Sequence, residues 1–287
     1  MKSLLLILLF VTAQAHATWS VTTYNIRNFD HDRDAGPTNI SELKSIIKDV
    51  KSDVIGFQEV VNFPAFEDVV RDALPGYGQA SSGCGGFGNQ HLALVYNQSV
   101  FDFVKKEEDL SYTGTDNACG SLRPVLLVTL KDKKTSQLYT FGLIHLKAGS
   151  DERAFRIRWG QYQKLKALAA KYATGKLILL GDFNTTGYNV KNEDFKKFES
   201  FLSTSGMKTA TQSLGCTNYW TGADQDPKFL SSILDHIVMP DSQFKQIQKV
   251  RVGAHCQKTS CRNVLEKDLG ESYKSVSDHC PVQVTFK

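Results

Sequence analysis

Short apolar runs and longer amphipathic stretches alternate along this chain, and several of the apolar runs stop abruptly on a polar side chain. Residues 19–25 mix β-branched and aromatic side chains in a strand-like alternation that ends on Asn25. A polar loop leads to Pro37. Asn39 then stands three residues before Glu42, as in a capping box, and Ile40, Leu43, Ile46, Ile47 and Val50 recur at helical spacing. The next strand, residues 53–59, ends on Glu59, and strand, helix and strand in that order make a β-α-β unit. A short helix is expected over 64–74, with Pro64 in its first turn. A Gly/Ser-rich loop follows over 76–89, then a strand over 91–96.

The second half repeats the plan. Residues 125–130 and 138–145 bracket a Lys/Asp/Thr turn and read as an antiparallel hairpin whose second strand ends on His145. Over 153–172, Phe155, Trp159, Tyr162, Leu165, Leu168, Ala169 and Tyr172 fall on one helical stripe. Lys176-Leu177-Ile178-Leu179-Leu180-Gly181 then runs into Asp182, Phe183 and Asn184. That continuous apolar run predicts a strand buried on both faces, with the alternate residues Asp182 and Asn184 facing one site at its end. A helix over 193–205 is amphipathic through Phe195, Phe198, Phe201 and Leu202. After a long polar loop, a strand over 233–239 carries Asp235 and His236, and Asp278-His279 opens a final alternating strand.

The N-terminus adds a location. Lys2, the apolar stretch 4–11 and Ala15-His16-Ala17 have the three parts of an export signal. Cleavage after Ala17 would leave a single domain, 18–287, of 287 − 17 = 270 residues in the periplasm or the medium. Six cysteines in an exported chain predict disulfides. Cys84 and Cys119, both in Gly-rich polar loops, are the favoured pair, and the other four stay unassigned. The net charge of +4 permits a polyanionic partner without demanding one. No later apolar run is long enough to span a bilayer, so no membrane partner is expected, and the chain is expected to act as a monomer.

The polar residues at strand ends are Asn25, Glu59, His145, Asp182, Asn184, Asp235, Asp278 and His279, with no nucleophilic Ser or Cys among them. Carboxylate and amide oxygens without thiolate suit Mg²⁺, or else Mn²⁺ or Ca²⁺, rather than zinc. Such a metal, with histidines near neutral pKa, serves attack by water on a phosphoryl centre. His236 should point to the opposite face of its strand from Asp235, and His91 and His255 read as ordinary surface or loop histidines.

Six segments in order resemble the motifs of the endonuclease/exonuclease/phosphatase superfamily: Tyr24-Asn25-Ile26-Arg27, Gln58-Glu59-Val60, Ile144-His145-Leu146, Gly181-Asp182-Phe183-Asn184, Leu234-Asp235-His236-Ile237 and Ser277-Asp278-His279-Cys280-Pro281-Val282. Within it the chain is most similar to secreted bacterial deoxyribonuclease I-like nucleases, and the segment from Asp116 and Asn117 to Arg123 and Pro124 resembles their disulfide loop followed by a substrate-contacting arginine. The resemblance implies an α/β fold, a four-layer α/β/β/α sandwich of two mixed sheets with helices outside, and a DNA substrate. It implies Glu59 as principal metal ligand, Asn25 close to the metal or a bound phosphate, and Asp278 supporting the metal or its waters. Asp182 and Asn184 would orient water and a phosphate oxygen. His279, aligned by Asp235, would act as base or phosphate-stabilising cation, His145 as the second acid/base histidine, and Arg123 would hold a non-bridging phosphate oxygen.

One departure stands out. Pancreatic-type relatives carry a glutamate just before the strand at 91–96 that steadies the first histidine. Here Asn89 and Gln90 stand there, as the expected amide partners of His145. Two other functions stay open: a same-fold phosphodiesterase acting on RNA, a small nucleotide or a phospholipid such as sphingomyelin, and a non-catalytic binding protein. Lipid-cleaving relatives carry exposed aromatics, and Tyr219-Trp220, the one candidate pair, reads as core-packing or loop-anchoring.

Overall fold

The computed structural model describes residues 18–30, 36–115, 118–172, 176–222 and 226–287. The expected export signal at 1–17, and Asp116 and Asn117 of the segment expected to form a disulfide loop, lie outside them. The first half comprises β1 (Ser20–Phe29), α1 (Ile40–Val50), β2 (Val54–Val60), α2 (Phe63–Ala73), β3 (Tyr77–Ser81) and β4 (His91–Asn97). The second comprises β5 (Phe101–Asp109), β6 (Val125–Asp132), β7 (Leu138–His145), α3 (Glu152–Lys171), β8 (Lys176–Asp182), α4 (Glu193–Ser205) and β9 (Met207–Thr209). The remainder is β10 (Asn218–Thr221), β11 (Lys228–Ser232), β12 (Asp235–Pro240), α5 (Asp241–Phe244), β13 (Ile247–Val252), α6 (Ala254–Thr259), β14 (Val264–Leu265), α7 (Glu266–Leu269), α8 (Glu271–Ser275) and β15 (Val282–Phe286).

Two six-stranded mixed sheets, in orders β13-β15-β1-β2-β4-β3 and β5-β6-β7-β8-β12-β9, form the centre, as the resemblance implies. Their facing sides share one apolar core that includes Trp19, Leu94, Phe141, Ile178, Leu180 and Val284. Outside the first sheet, α1 and α2 bury Leu43, Ile47, Phe66 and Val69; outside the second, α3 and α4 bury Tyr162, Leu165, Phe198 and Phe201. Each of these four helices is started by a side chain, Asn39, Asn62, Asp151 or Asn192, that accepts a bond from the backbone N–H three residues on. Such caps contribute about 1 kcal/mol apiece and fix where each helix leaves its strand.

Both expected strand-helix-strand units are present, with β1 parallel to β2 and β7 parallel to β8, and β6–β7 is the expected antiparallel hairpin. Other expectations are corrected. The loop at 76–89 contains β3, and 101–109, which carries no strand-like pattern, forms the edge strand β5. Only Phe101 of β5 is fully buried, and Lys105, Lys106 and Glu107 face water, as suits an edge strand. The long polar loop before β12 holds β10 and β11, which pair with β14 in a small third sheet. Phe155 and Trp159 are only partly buried, and Arg158 takes the buried place on α3. His255 is fully buried, bonded to Ser272 Oγ and the Asp278 carbonyl, not a surface histidine.

Cys84 pairs with Cys119 as expected, and the other four cysteines form Cys216–Cys261 and Cys256–Cys280. The last two staple the third sheet and α6 to the entrance of β15, where His279 sits. No helix among the described residues is long and apolar enough to cross a membrane.

Candidate active site

Five strand ends meet at one rim between the two main sheets. In the second sheet Asp182 lies directly between His145 on parallel β7 and Asp235 on antiparallel β12. In the first sheet Asn25 and Glu59 come from adjacent β1 and β2. One amide bridges the two sheets here: Asn25 Nδ2 donates to Glu59 Oε1 at 2.9 Å and to Asp182 Oδ2 at 3.2 Å, across 157 residues of sequence.

Local backbone makes these directions possible. Gly181 has φ 149°, and a Cβ there would lie 2.0 Å from the Ile144 carbonyl oxygen, so only glycine lets β8 run this close to β7 before Asp182. Glu59 (φ 64°) and Asn184 (φ 52°) both occupy the left-handed region. Asparagine tolerates it; for glutamate it costs about 1 kcal/mol or more, held by the surrounding bonds. Glu59 Oε2 accepts from the Asn28 N–H at 2.9 Å, which fixes the carboxylate at both ends. Asp182 Oδ1 accepts from the Asn184 N–H at 2.8 Å, and Asn184 Nδ2 donates to the Leu146 carbonyl.

The two histidines approach the same oxygen. His145 Nε2 is 3.5 Å from Asp182 Oδ2 and 3.7 Å from Glu59 Oε1; His279 Nε2 is 3.9 Å from Asp182 Oδ2. His279 Nδ1 is bonded to Asp235 Oδ2 at 2.8 Å, which turns Nε2 into the site. Its backbone N–H donates to Ser277 Oγ, which itself donates to the Asn25 carbonyl, so the loop before β15 is tied to β1. His145 has no such orienting partner: its buried Nδ1 lacks a hydrogen bond among the described residues. Neither expected amide reaches it, because Gln90 Nε2 donates to Asn28 Oδ1 and Asn89 Oδ1 is bonded to His91 Nε2.

Charge separates these groups. Burial, with the positive charges of Arg123 and His279 nearby, holds His145 well below the ordinary histidine value. Burial also opposes charge on His279, but the Asp235 and Asp278 carboxylates outweigh it and hold that imidazole well above the ordinary value. Burial pushes the Asp182 carboxyl up to about 7, against the attraction of His279. Arg123 is lowered by burial and held charged by Glu59 and Asp182; its Nη2 donates to the Leu146 carbonyl at 3.5 Å. Asp278 is half-buried beside His279, with its backbone carbonyl bonded to the Tyr219 N–H.

The donor set fits a hard divalent cation. Glu59, His145 and Asp182 each present a potential ligand atom, all within 4.8 Å of one another, so an ion held by Glu59 would lie beside Asp182 and His145. Two desolvated carboxylates facing each other with a neutral imidazole are also a set that a cation stabilises.

Other residues that position this rim have no motif of their own. Arg158 is fully buried; it donates from Nε and Nη2 to both oxygens of buried Asp194, from Nη1 to the Lys147 and Gly149 carbonyls, and from Nη2 to Thr186 Oγ1. It thereby locks the loops that follow His145 and Asn184. The available signal was a charge at an apolar-stripe position, four residues before Tyr162. His236 points away from the site, as expected, bonded to Thr185 and Thr211 hydroxyls. Of the aromatic pair, Tyr219 is buried as expected, whereas Trp220 is 51 % exposed.

The endonuclease/exonuclease/phosphatase family model matches residues 22–279. No curated protein sequence matches the chain. Among solved structures, a Bacteroides thetaiotaomicron endonuclease/exonuclease/phosphatase family protein is 20 % identical over 94 % of this chain and 98 % of its own, with a TM-score of 0.65. D. rerio TDP2 complexed with a single-strand DNA product is 15 % identical over 95 % of this chain and 100 % of its own, TM-score 0.63. The Neisseria 3′ phosphatase NExo bound to a product DNA hairpin is 15 % identical over 94 % and 99 %, TM-score 0.64.

Proposed function

The chain belongs to the endonuclease/exonuclease/phosphatase family, and on that premise we propose that it is an exported, divalent-metal-dependent nuclease that hydrolyses DNA phosphodiester bonds as a non-specific endonuclease. Members of the family are metal-dependent hydrolases of phosphodiesters or phosphate esters. The observation that carries the reading is the convergence of two histidines and an amide on Asp182 Oδ2 beside Glu59, with no nucleophilic side chain in the cluster. DNA as the substrate draws on the DNA held by TDP2 and NExo, on the net charge of +4 and on the export signal.

In this reading Glu59, with Asn25 and Asp278 in support, would hold Mg²⁺, which when bound would offset negative charge on the phosphate. Asp182 orients the attacking water, while Asn184 and Arg123 hold phosphate oxygens. The water oxygen bonds to phosphorus and its proton passes to the Asp182 carboxylate or to neutral His145. The bond from phosphorus to the leaving oxygen breaks, and His279, charged and aligned by Asp235, stabilises that oxygen and can protonate it.

Incubating residues 18–287 with supercoiled plasmid tests the proposal. Nicked and linear products with Mg²⁺, and none with EDTA, are expected. Intact plasmid beside active controls would sink it, and release of phosphocholine from sphingomyelin liposomes without plasmid cleavage would favour the lipid substrate instead.

A further inference from the structure

A cavity of about 250 Å³ opens directly beside the catalytic rim, lined by Gly149, Ser150, Thr186, Asn218, Trp220, Ser232 and Leu234. It is a built feature. One wall is the β10–β11 ladder, where Asn218 pairs with Ser232 and Trp220 with Leu230. Asn218 and Trp220 are alternate residues and share a face, whereas Tyr219 between them points into the disulfide-linked cluster with Cys216 and Cys256. The opposite wall belongs to the loops after β7 and β8, which buried Arg158 fixes through the Gly149 carbonyl and the Thr186 hydroxyl. Asn218 forms a bridge with His279, Leu234 precedes Asp235, and Thr186 lies two residues after Asn184, so the cavity adjoins the phosphate site.

Two observations say what it accepts. Trp220 leaves half of its surface in water although Asn218 and Tyr219 before it are buried, so its indole face is available to a ligand. Asn218 is 2 % exposed, and its Oδ1 has no hydrogen-bond partner among the described residues. An apolar planar wall with an unmet acceptor suits a flat heterocycle carrying N–H donors at its edge. The volume falls below the roughly 300–1,000 Å³ of pockets for drug-sized ligands, which favours one ring system over a chain. We propose that this cavity receives a single unstacked nucleobase next to the scissile phosphate, with Trp220 stacking on it and Asn218 bonding its edge. The inference rests on the nuclease reading and sharpens it. A base inside a duplex must leave the stack first, so single strands and flexible sites are the preferred substrates.

The test uses single-stranded oligonucleotides with one cleavable phosphodiester, the other linkages being phosphorothioate. The flanking residue is either a natural nucleotide or a tetrahydrofuran abasic analogue. Wild-type protein should show a KM about tenfold or more higher for the abasic substrate, in keeping with loss of one stacked base. Trp220→Ala should raise KM for the natural substrate to that level and leave the abasic one unchanged, and Trp220→Phe should restore most of the difference. Equal KM values for the two substrates with wild-type protein, or an equal penalty on both from Trp220→Ala, would overturn the cavity's role while leaving the nuclease reading in place. If neither oligonucleotide is cut by protein that still hydrolyses a simple aryl phosphate ester, the nuclease reading fails and the base site fails with it.

Discussion

Asp182 and Asp235 stand directly opposite one another in the β8–β12 ladder, two buried carboxylates on paired strands. Like charges in that position repel, and each is answered from elsewhere: Asp235 by His279 Nδ1, and Asp182 by Asn25 Nδ2 and the Asn184 N–H. The pair therefore divides labour, with one carboxylate committed to the histidine and the other turned to the rim.

Asp235→Asn removes the charge that holds His279 up while keeping the shape of its partner. His279 is raised in the folded protein, so losing the carboxylate lowers its pKa, and the range of pH in which it is charged contracts toward acid. The rate at neutral pH is expected to fall by two orders of magnitude or more, with the alkaline limb of the kcat profile moving to lower pH. A profile that drops in height without moving would show that the aspartate only fixes the ring.

Buried Arg158–Asp194 predicts a stability effect coupled to activity. Asp194→Ala leaves an unpaired guanidinium in the interior and is expected to destabilise the protein by about 3–5 kcal/mol. A double replacement by apolar residues should recover much of that stability in urea denaturation. It should not recover activity, because the Lys147, Gly149 and Thr186 contacts are still lost.

The buried histidines predict acid sensitivity. Burial among Phe183, Tyr188 and Phe198 and between threonine hydroxyls lowers His236 to about 3, and burial lowers His255 to about 4. Well above pH 6.5 neither histidine is charged in either state and neither affects stability. Below it the unfolded chain takes up protons that the folded chain refuses, so stability falls as pH drops from about 6.5 toward those values. Between pH 6.5 and 5 each group costs about 2 kcal/mol. His236→Gln should reduce the slope of unfolding free energy against pH in this range by about one proton; an unchanged slope would contradict it.

How much of this was legible in sequence follows from what each residue needs from its surroundings. The strand-helix-strand halves were legible because buried strands require unbroken apolar runs and the helices a single stripe, and Asn25, Glu59, His145, Asp182 and Asp235 stood out because each interrupts or ends such a run. Strands β3, β5 and β13 and the third sheet lie at edges or in the periphery, where solvent accepts any side chain and no period is imposed. Arg158 and Asn218 work through partners 36 and more than 60 residues away, which no local pattern encodes. The lack of a partner on His145 Nδ1 among the described residues is likewise tertiary: Asn89 and Gln90, its expected partners, are engaged with His91 and Asn28.

The division of roles between Glu59 and Asp182 is tested most directly by titrating Mg²⁺ against plasmid cleavage for Glu59→Gln and Asp182→Asn. Glu59→Gln is expected to raise the Mg²⁺ needed for half-maximal rate by an order of magnitude or more, as loss of a metal ligand does. Asp182→Asn is expected to lower the maximal rate by about a thousandfold, comparable to removing a preorganised catalytic contact, while leaving the Mg²⁺ requirement within a few-fold of wild type. The reverse pattern, in which Asp182→Asn loses the metal and Glu59→Gln loses only rate, would contradict the assignment.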